Sequence, residues 1–212
     1  SDLMALPALM SKKLNGRPVI MRVSRAEEFY NGSARASFLG WVKIGFSAKG
    51  RVVALDSYVV QDNGSTSGFW DFQNFGAAAS VILQPEAMRF RGIPVLTNTP
   101  PKGAQRGPGE NQTANILEPI LDKGARKLGI DRLAIRLANT PGGGLGSKIG
   151  PKRVPLTSSY LREGLEQAAK KFDYANRVKK SGVQPNGKIR SIGIGQAYHS
   201  AGSSGWDGMV RI

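Results

Sequence analysis

The chain is predicted to adopt an α+β fold of mixed sheets with packed helices. An alternating hairpin signal at residues 38–60 stands between helical apolar stripes, one before it and two after it, at 116–128 and 161–172. Taken in order, apolar residues at 3, 6, 9, 10 and 14 predict a first helix, stopped by Asn15 and Gly16. Pro7 places part of that stretch in a first turn. Residues 17–23 alternate as a strand, and residues 38–46 pair with 51–60 through a turn in which Gly50 takes the left-handed position. After the polar loop 62–68, the aromatics Phe69, Trp70 and Phe72 around Asp71 read as a buried hinge rather than a ligand cage. Residues 81–83 and 91–97 are expected as connecting strands that end at Pro100 and Pro101.

A helix follows to Leu128, and Asp131 is positioned to cap another that runs through Leu137. Pro119 either kinks the first of these or makes it begin later, since an interior proline costs on the order of 3 kcal/mol and a hydrogen bond. Residues 141–156 are glycine-rich and linker-like. Thr157, Ser158 and Ser159 offer an N-cap for a helix with Leu161, Leu165, Ala168 and Phe172 on one face. Its acids Glu163 and Glu166 come early and its bases Lys170 and Lys171 late, as the helix dipole favours. Residues 189–198 and 209–212 are expected as strands flanking a glycine-rich loop, the last strand having no closing element. No internal repeat is visible.

With 212 residues and 40% hydrophobic content, the chain is long enough for one large domain or two small ones. Its 27 glycines and 12 prolines point to a loop-rich globular fold. The absence of cysteine excludes disulfides, a thiolate zinc site and an iron–sulfur cluster held by this chain, and a lone His199 cannot form a histidine metal site. No apolar run reaches the roughly 20 residues that span a bilayer, and the first residues do not form a secretory signal. The formal net charge of +15 raises nucleic acid or an acidic partner surface. The densest basic stretch, from Arg177 and Lys180 to Lys188 and Arg190, lacks the interleaved aromatics that stack on bases, so nucleic acid is an unlikely partner.

Three motifs carry possible chemistry. The glycines at 142–148 lack phosphate-loop spacing and read as linker. His199 is the only base a serine nucleophile could use, and no GxSxG elbow is present, which argues against a hydrolase. The stretch GAQRGPGEN at 103–111 sets Arg106 among glycines just before a helix, where amide protons point outward and suit an anionic ligand; the plainer reading is a surface arginine in a glycine turn.

Around this stretch the sequence resembles the large, molybdenum-binding subunit of the xanthine dehydrogenase and aldehyde oxidase family. Thr97 and Asn98, then Gly103, Ala104, Gln105, Arg106, Gly107, Pro108 and Gly109, then Gln112, are similar to the family's T-N…A-F-R-G-F-G-x-x-Q segment. KLNGRPV at 13–19, VSRAEE at 23–28, the hairpin, LGID at 128–131, RLAN at 136–139 and RSIGIG at 190–195 continue in the family's order, so the resemblance covers nearly the whole chain.

The resemblance implies an oxidoreductase that hydroxylates or oxidises an aldehyde, heterocycle or related carbon centre with water as oxygen source. Its cofactor would be molybdopterin with molybdenum, with the cytosine dinucleotide form as an option, and no protein side chain would hold the metal. Ala104, Gln105, Arg106, Gly107 and Gln112 would bind the cofactor. Arg106 would be the residue that catalysis depends on, and Phe75, Gly103, Pro108 and His199 would line the substrate pocket. Residues 1–140 would form a first molybdopterin-binding lobe with active-site loop 97–112, residues 141–156 a linker, and residues 157–212 a helix and the start of a second lobe. Iron–sulfur clusters and FAD would reside on partner subunits in the cytoplasm, with the periplasm as the alternative.

The chain also departs from the family pattern. Pro108 replaces the second aromatic of R-G-F-G, and Asn74 falls where purine-oxidising members carry arginine, which speaks against a purine. The family's earlier G-G-F-G-G-K loop, its late catalytic glutamate and its downstream nucleotide-binding loops have no counterpart, so other polypeptide is expected to complete the site. The reading from a different class is a basic RNA-associated protein without catalysis.

Overall fold

The computed structural model describes residues 2–65, 70–142, 148–149, 154–155 and 160–199. Helix α1 (Asp2–Lys13) is closed by Asn15 and Gly16, both at positive φ. Pro7 lies within this helix and not in its first turn. The following residues, 17–24, have no regular structure, so the predicted strand at 17–23 is not formed: its alternation has no neighbouring strand to pair with. Helix α2 (Arg25–Asn31) begins instead at Ser24, whose hydroxyl accepts from the Glu27 amide while Glu27 accepts from the Ser24 amide.

The hairpin forms as predicted. β1 (Phe38–Phe46) runs antiparallel to β2 (Val52–Asp62), from Phe38 opposite Gln61 to Phe46 opposite Val52, with Gly50 at φ +78° in the turn. A bulge at Gly45 and Phe46 precedes that turn. Helix α3 (Asp71–Leu83) then carries the chain to β3 (Ala87–Val95), which lies parallel to β2. Thus residues 81–83 end a helix and are not a strand. Their Val, Ile and Leu face the core from α3 and are buried. Trp70 is exposed just before that helix, so the aromatic group does not form the buried hinge expected of it; Phe69 lies outside the described residues.

Helix α4 (Glu110–Leu128) passes through Pro119 and ends at Gly129, which is left-handed. It packs on β1 so closely that a Cβ at Gly124 would lie 2.7 Å from the Phe46 ring. Its Leu117 and Leu121 complete a core with Val52, Leu55, Ala79, Ile82 and Leu83. Helix α5 (Arg132–Asn139) is capped as predicted, with Asp131 accepting from the amides of Leu133 and Ala134. Arg136, with no exposed surface, ties α5 to α4 by pairing with Glu118 at 2.6 Å and Asp122 at 2.9 Å. Burial pushes the Glu118 carboxyl up, and Arg136 opposes that shift.

Within the expected linker, β4 (Lys148–Ile149) pairs with β5 (Val154–Pro155). The helix predicted next is present as α6 (Leu161–Phe172), but Tyr160 stands at its N-cap without a side-chain bond. The proposed caps Thr157, Ser158 and Ser159 lie outside the described residues. Left-handed Asp173 leads into α7 (Tyr174–Val178), and β6 (Gly182–Val183) pairs with β7 (Ile189–Arg190). The strand predicted over 189–198 stops at Arg190, because beyond it the chain takes side-chain bonds instead of a ladder. Arg132 donates to the Ile192 carbonyl, and Thr140 donates to the buried Gln196 side chain. Residues 209–212 lie outside the described set. Among the described residues no helix is long and apolar enough to cross a membrane.

Asn139 joins the hairpin to α5. It is 2% exposed, its oxygen accepts from the Val52 amide and Arg51, and its nitrogen donates to the carbonyls of Gly50 and Ile135. All four bonds available to the amide are made. Asn139→Asp turns the donor end into an acceptor facing two carbonyls. We expect urea unfolding of this variant to lose about 3 kcal/mol; a loss under about 1 kcal/mol would mean that the hairpin and α5 do not depend on this residue.

Candidate functional site

The approach to the 103–109 turn is fixed from two sides. Asp62, at the end of β2, accepts from the hydroxyls of Thr97 and Thr99 and the amide of Gly64, and pairs with Lys102 at 3.3 Å. Burial opposes ionisation there, yet these donors together hold the carboxyl well below the usual carboxylate range. On the other side a parallel bridge joins Ala34 to Lys102, with Ala34 N donating to Pro101 O and Gly103 N to Ala34 O. Gly103 is buried against Ser33, 2.6 Å from where a Cβ would stand, so a glycine is required for the crossing. Gln105 extends the same attachment by donating to the Ser33 carbonyl at 2.8 Å.

Within the turn the carbonyls are held back. Arg35 donates to Arg106 O at 2.7 Å and to Gly107 O at 3.2 Å, and Asn74 donates to Pro108 O at 2.9 Å. Gly107 and Gly109 take φ of +68° and +80°. Gly109 also meets α3: a Cβ would lie 2.0 Å from the Asp71 carbonyl oxygen. Gln112 accepts from the Gly109 amide and donates to Ala36 O, while the Thr113 hydroxyl donates to Gly109 O. By contrast, among the described residues the main-chain N–H groups of Ala104, Gln105, Arg106 and Gly107 donate to no acceptor. Ala104 and Arg106 are exposed, so one face of the turn is open. Uncommitted amides on a braced turn beside a helix start form an arrangement suited to an anionic or oxygen-rich group.

Two acids lie behind the turn. Asp71 is 1% exposed with both carboxylate oxygens unpartnered, and the Glu110 Oε2 is likewise buried without a donor among the described residues. Burial, chiefly, and the neighbouring Glu110 raise the Asp71 carboxyl from 3.8 to about 6, against the pull of Arg35. The other Glu110 oxygen stands 3.1 Å from Nδ1 of the exposed His199.

The turn thus brings together Gly103, Ala104, Gln105, Arg106, Gly107, Pro108 and Gln112, with Gln112 a buried brace and His199 near the helix start. Phe75 does not belong with them. It is fully buried, stacked on Phe90 at 5.8 Å and edge-on to Phe38 at 6.2 Å, so it offers no surface to a substrate and instead fills the core under β1 and β3. Arg35, the place of Asp71 behind the turn and the bracing role of Asn74 are absent from the sequence reading. Arg35 lies 71 residues before the carbonyl it holds, and no local spacing signals such a contact.

The sequence profile of the molybdopterin cofactor-binding domain matches residues 2–140. The chain belongs to this family. As a molybdopterin cofactor-binding domain, it is 31% identical over 209 residues to the xanthine dehydrogenase molybdenum-binding subunit of Escherichia coli O157:H7, covering 98% of this chain and 27% of that protein. It is 30% identical over 213 residues to aldehyde oxidase 1 of Bos taurus, covering 91% of this chain and 15% of that one. It therefore spans about a quarter or less of these relatives. In fold it is similar to quinoline 2-oxidoreductase from Pseudomonas putida 86, with a TM-score of 0.61 and 23% identity over 82% of this chain and 23% of the other.

Since the folded domain keeps a proton on Asp71 up to about pH 6, which the unfolded chain releases near 3.8, its stability falls as pH rises between these values and stays lower above them. Asp71→Asn is expected to remove this loss, raising stability at pH 7 by up to about 3 kcal/mol with little gain at pH 4, as followed by urea unfolding across that range. A variant less stable than the parent at pH 7 would show instead that Arg35 more than offsets the burial of the Asp71 carboxylate.

Proposed function

We propose that this chain is part of the cofactor-binding subunit of a molybdenum hydroxylase and that its 103–109 turn forms one wall of the active site. The observation that carries this reading is the set of unengaged amides of Ala104, Gln105, Arg106 and Gly107, on a turn whose carbonyls Arg35 and Asn74 draw away. These residues fit the anionic metal–pterin group: the amides offer donors, the glycines leave room for close approach, and the Arg35 guanidinium offsets the field of Asp71 and Glu110. Gln112 acts indirectly by fixing the Gly109 amide. When bound, the molybdenum–pterin centre supplies the two-electron acceptor for hydroxylating a carbon with water as oxygen source. The chain's own part is to hold that group in a preorganised, partly buried cradle and to shape the adjoining substrate space with Gly103, Pro108 and His199.

Pro108 cannot supply aromatic stacking, and Phe75 is sealed in the core, so this chain contributes no aromatic sandwich from those positions. The substrate, which we take to be an aldehyde, heterocycle or related carbon centre, would therefore be positioned by walls from elsewhere. We take the first lobe to be 1–140, with 141–156 connecting it to the start of a second at 157–212. The remaining molybdopterin-binding polypeptide would complete the site. Iron–sulfur and flavin subunits would carry the electrons onward, and the cytosine dinucleotide form is one cofactor option. A cytoplasmic setting is the simplest for such an assembly. The RNA-associated alternative gains no support from the family.

The test is metal analysis and turnover of the assembled enzyme. Arg35→Ala releases two turn carbonyls and is expected to lower molybdenum content several-fold, whereas Arg106→Ala keeps the main-chain amide, removes the exposed guanidinium beside it, leaves melting unchanged and slows turnover about tenfold. Full metal content with unchanged turnover in both variants would defeat this assignment.

A further inference from the structure

The basic stretch at 177–190 is not used by the turn. Arg177, Lys180 and Arg190, with Phe172, Ser191 and Ile192, line a cleft of about 530 Å³. Among the described residues none of the three cations forms an ion pair or a side-chain hydrogen bond; Arg177 lies over the Phe172 ring at 4.6 Å. The one acid at the cleft, Asp173, is engaged by the Asn176 amide at 2.9 Å. Both walls are tethered. Tyr174 is buried and donates to Asp131 from α7, and Arg132 holds the Ile192 carbonyl on the opposite side.

Arg177, Lys180 and Arg190 are exposed side chains on tethered main-chain walls; gathered around one concavity they repel one another, and an anion relieves that repulsion. Two guanidinium forks and an ammonium match a group with several oxygens and more than one charge, and the volume lies in the range of small-molecule sites. An acidic protein surface would instead meet the outward Lys170, Lys171 and Lys179, which do not line the cleft. We propose that this cleft binds a phosphate-bearing small molecule. The site is independent of the proposed chemistry at the turn, and its test needs no turnover.

The purified protein is titrated by calorimetry with inorganic pyrophosphate and with AMP at about 0.15 M salt. Saturable binding of either at one equivalent is expected, a preference for AMP marking a nucleotide and a preference for pyrophosphate a free phosphate. Arg177→Gln with Arg190→Gln should weaken it about tenfold or more, and Lys180→Gln alone should weaken it by less. Lys170→Gln with Lys171→Gln removes the same charge outside the cleft and should change it less than about twofold. Circular dichroism checks that each variant is folded. The proposal fails if neither probe saturates, if both double variants weaken binding equally, or if a polyglutamate peptide binds better than either probe.

Discussion

The approach of Gly109 to the first residue of α3 governs the site. With the Asp71 carbonyl 2.0 Å from the place of a Cβ and φ at +80°, no other residue fits without moving α4 or α3. Both helices feed the same core, α3 through Ala79, Ile82 and Leu83 and α4 through Leu117 and Leu121. The turn before Gly109 is thereby referenced to packed helices and not to other loops. Asn74, Gln112 and Thr113 then bind it on three sides. A loop positioned this way keeps its amides in place before any ligand arrives, which is what preorganised binding of an anion requires.

Periodicity made the hairpin and helices α4, α5 and α6 legible, since each repeats its apolar residues at the spacing of its own backbone; α4 and α5 bury that stripe, whereas α6 only half-covers its own. Helix α3 escaped because its buried residues, from Phe75 to Leu83, occupy nearly every position, so no polar face marks the period. Residues 17–23 misled in the opposite way: alternation predicts a strand only where another strand can complete its hydrogen bonds. The capping pair of Ser24 and Glu27 is a local signal that could have located α2. In the site, the glycine spacing of 103–109 was readable because positive φ restricts residue choice. Arg35 was not, because its role exists only after the bridge at Ala34 brings it to the turn. Phe75 was expected in the pocket from the resemblance alone, which does not tell which side of α3 a ring occupies.

The acids behind the turn are costly neighbours for an anion, and their arrangement limits that cost. Asp71 is neutral over more of the pH range than an exposed aspartate, because burial disfavours its charge. Glu110 sits in the first turn of α4, where the helix dipole favours negative charge. Arg35 carries a positive charge to the same place while its fork holds two carbonyls of the turn. One guanidinium therefore shapes the main chain and balances the local field, and a lysine could not do both, having no planar fork.

Helix α4 also determines how the turn and the basic cleft relate. Its 19 residues span about 28 Å. The turn lies at its first residue, whereas Asp131 and Arg132, which tether the cleft walls, follow its last turn. Ligands at the two ends would not touch. Any influence between them would pass through α4 and α5, which the buried Arg136 clamps with Glu118 and Asp122. Breaking such a pair costs far more than a surface bridge, because it leaves a charge buried without compensation. The helical pair should thus behave as a rigid strut, holding the two regions at fixed separation while leaving their electrostatics independent.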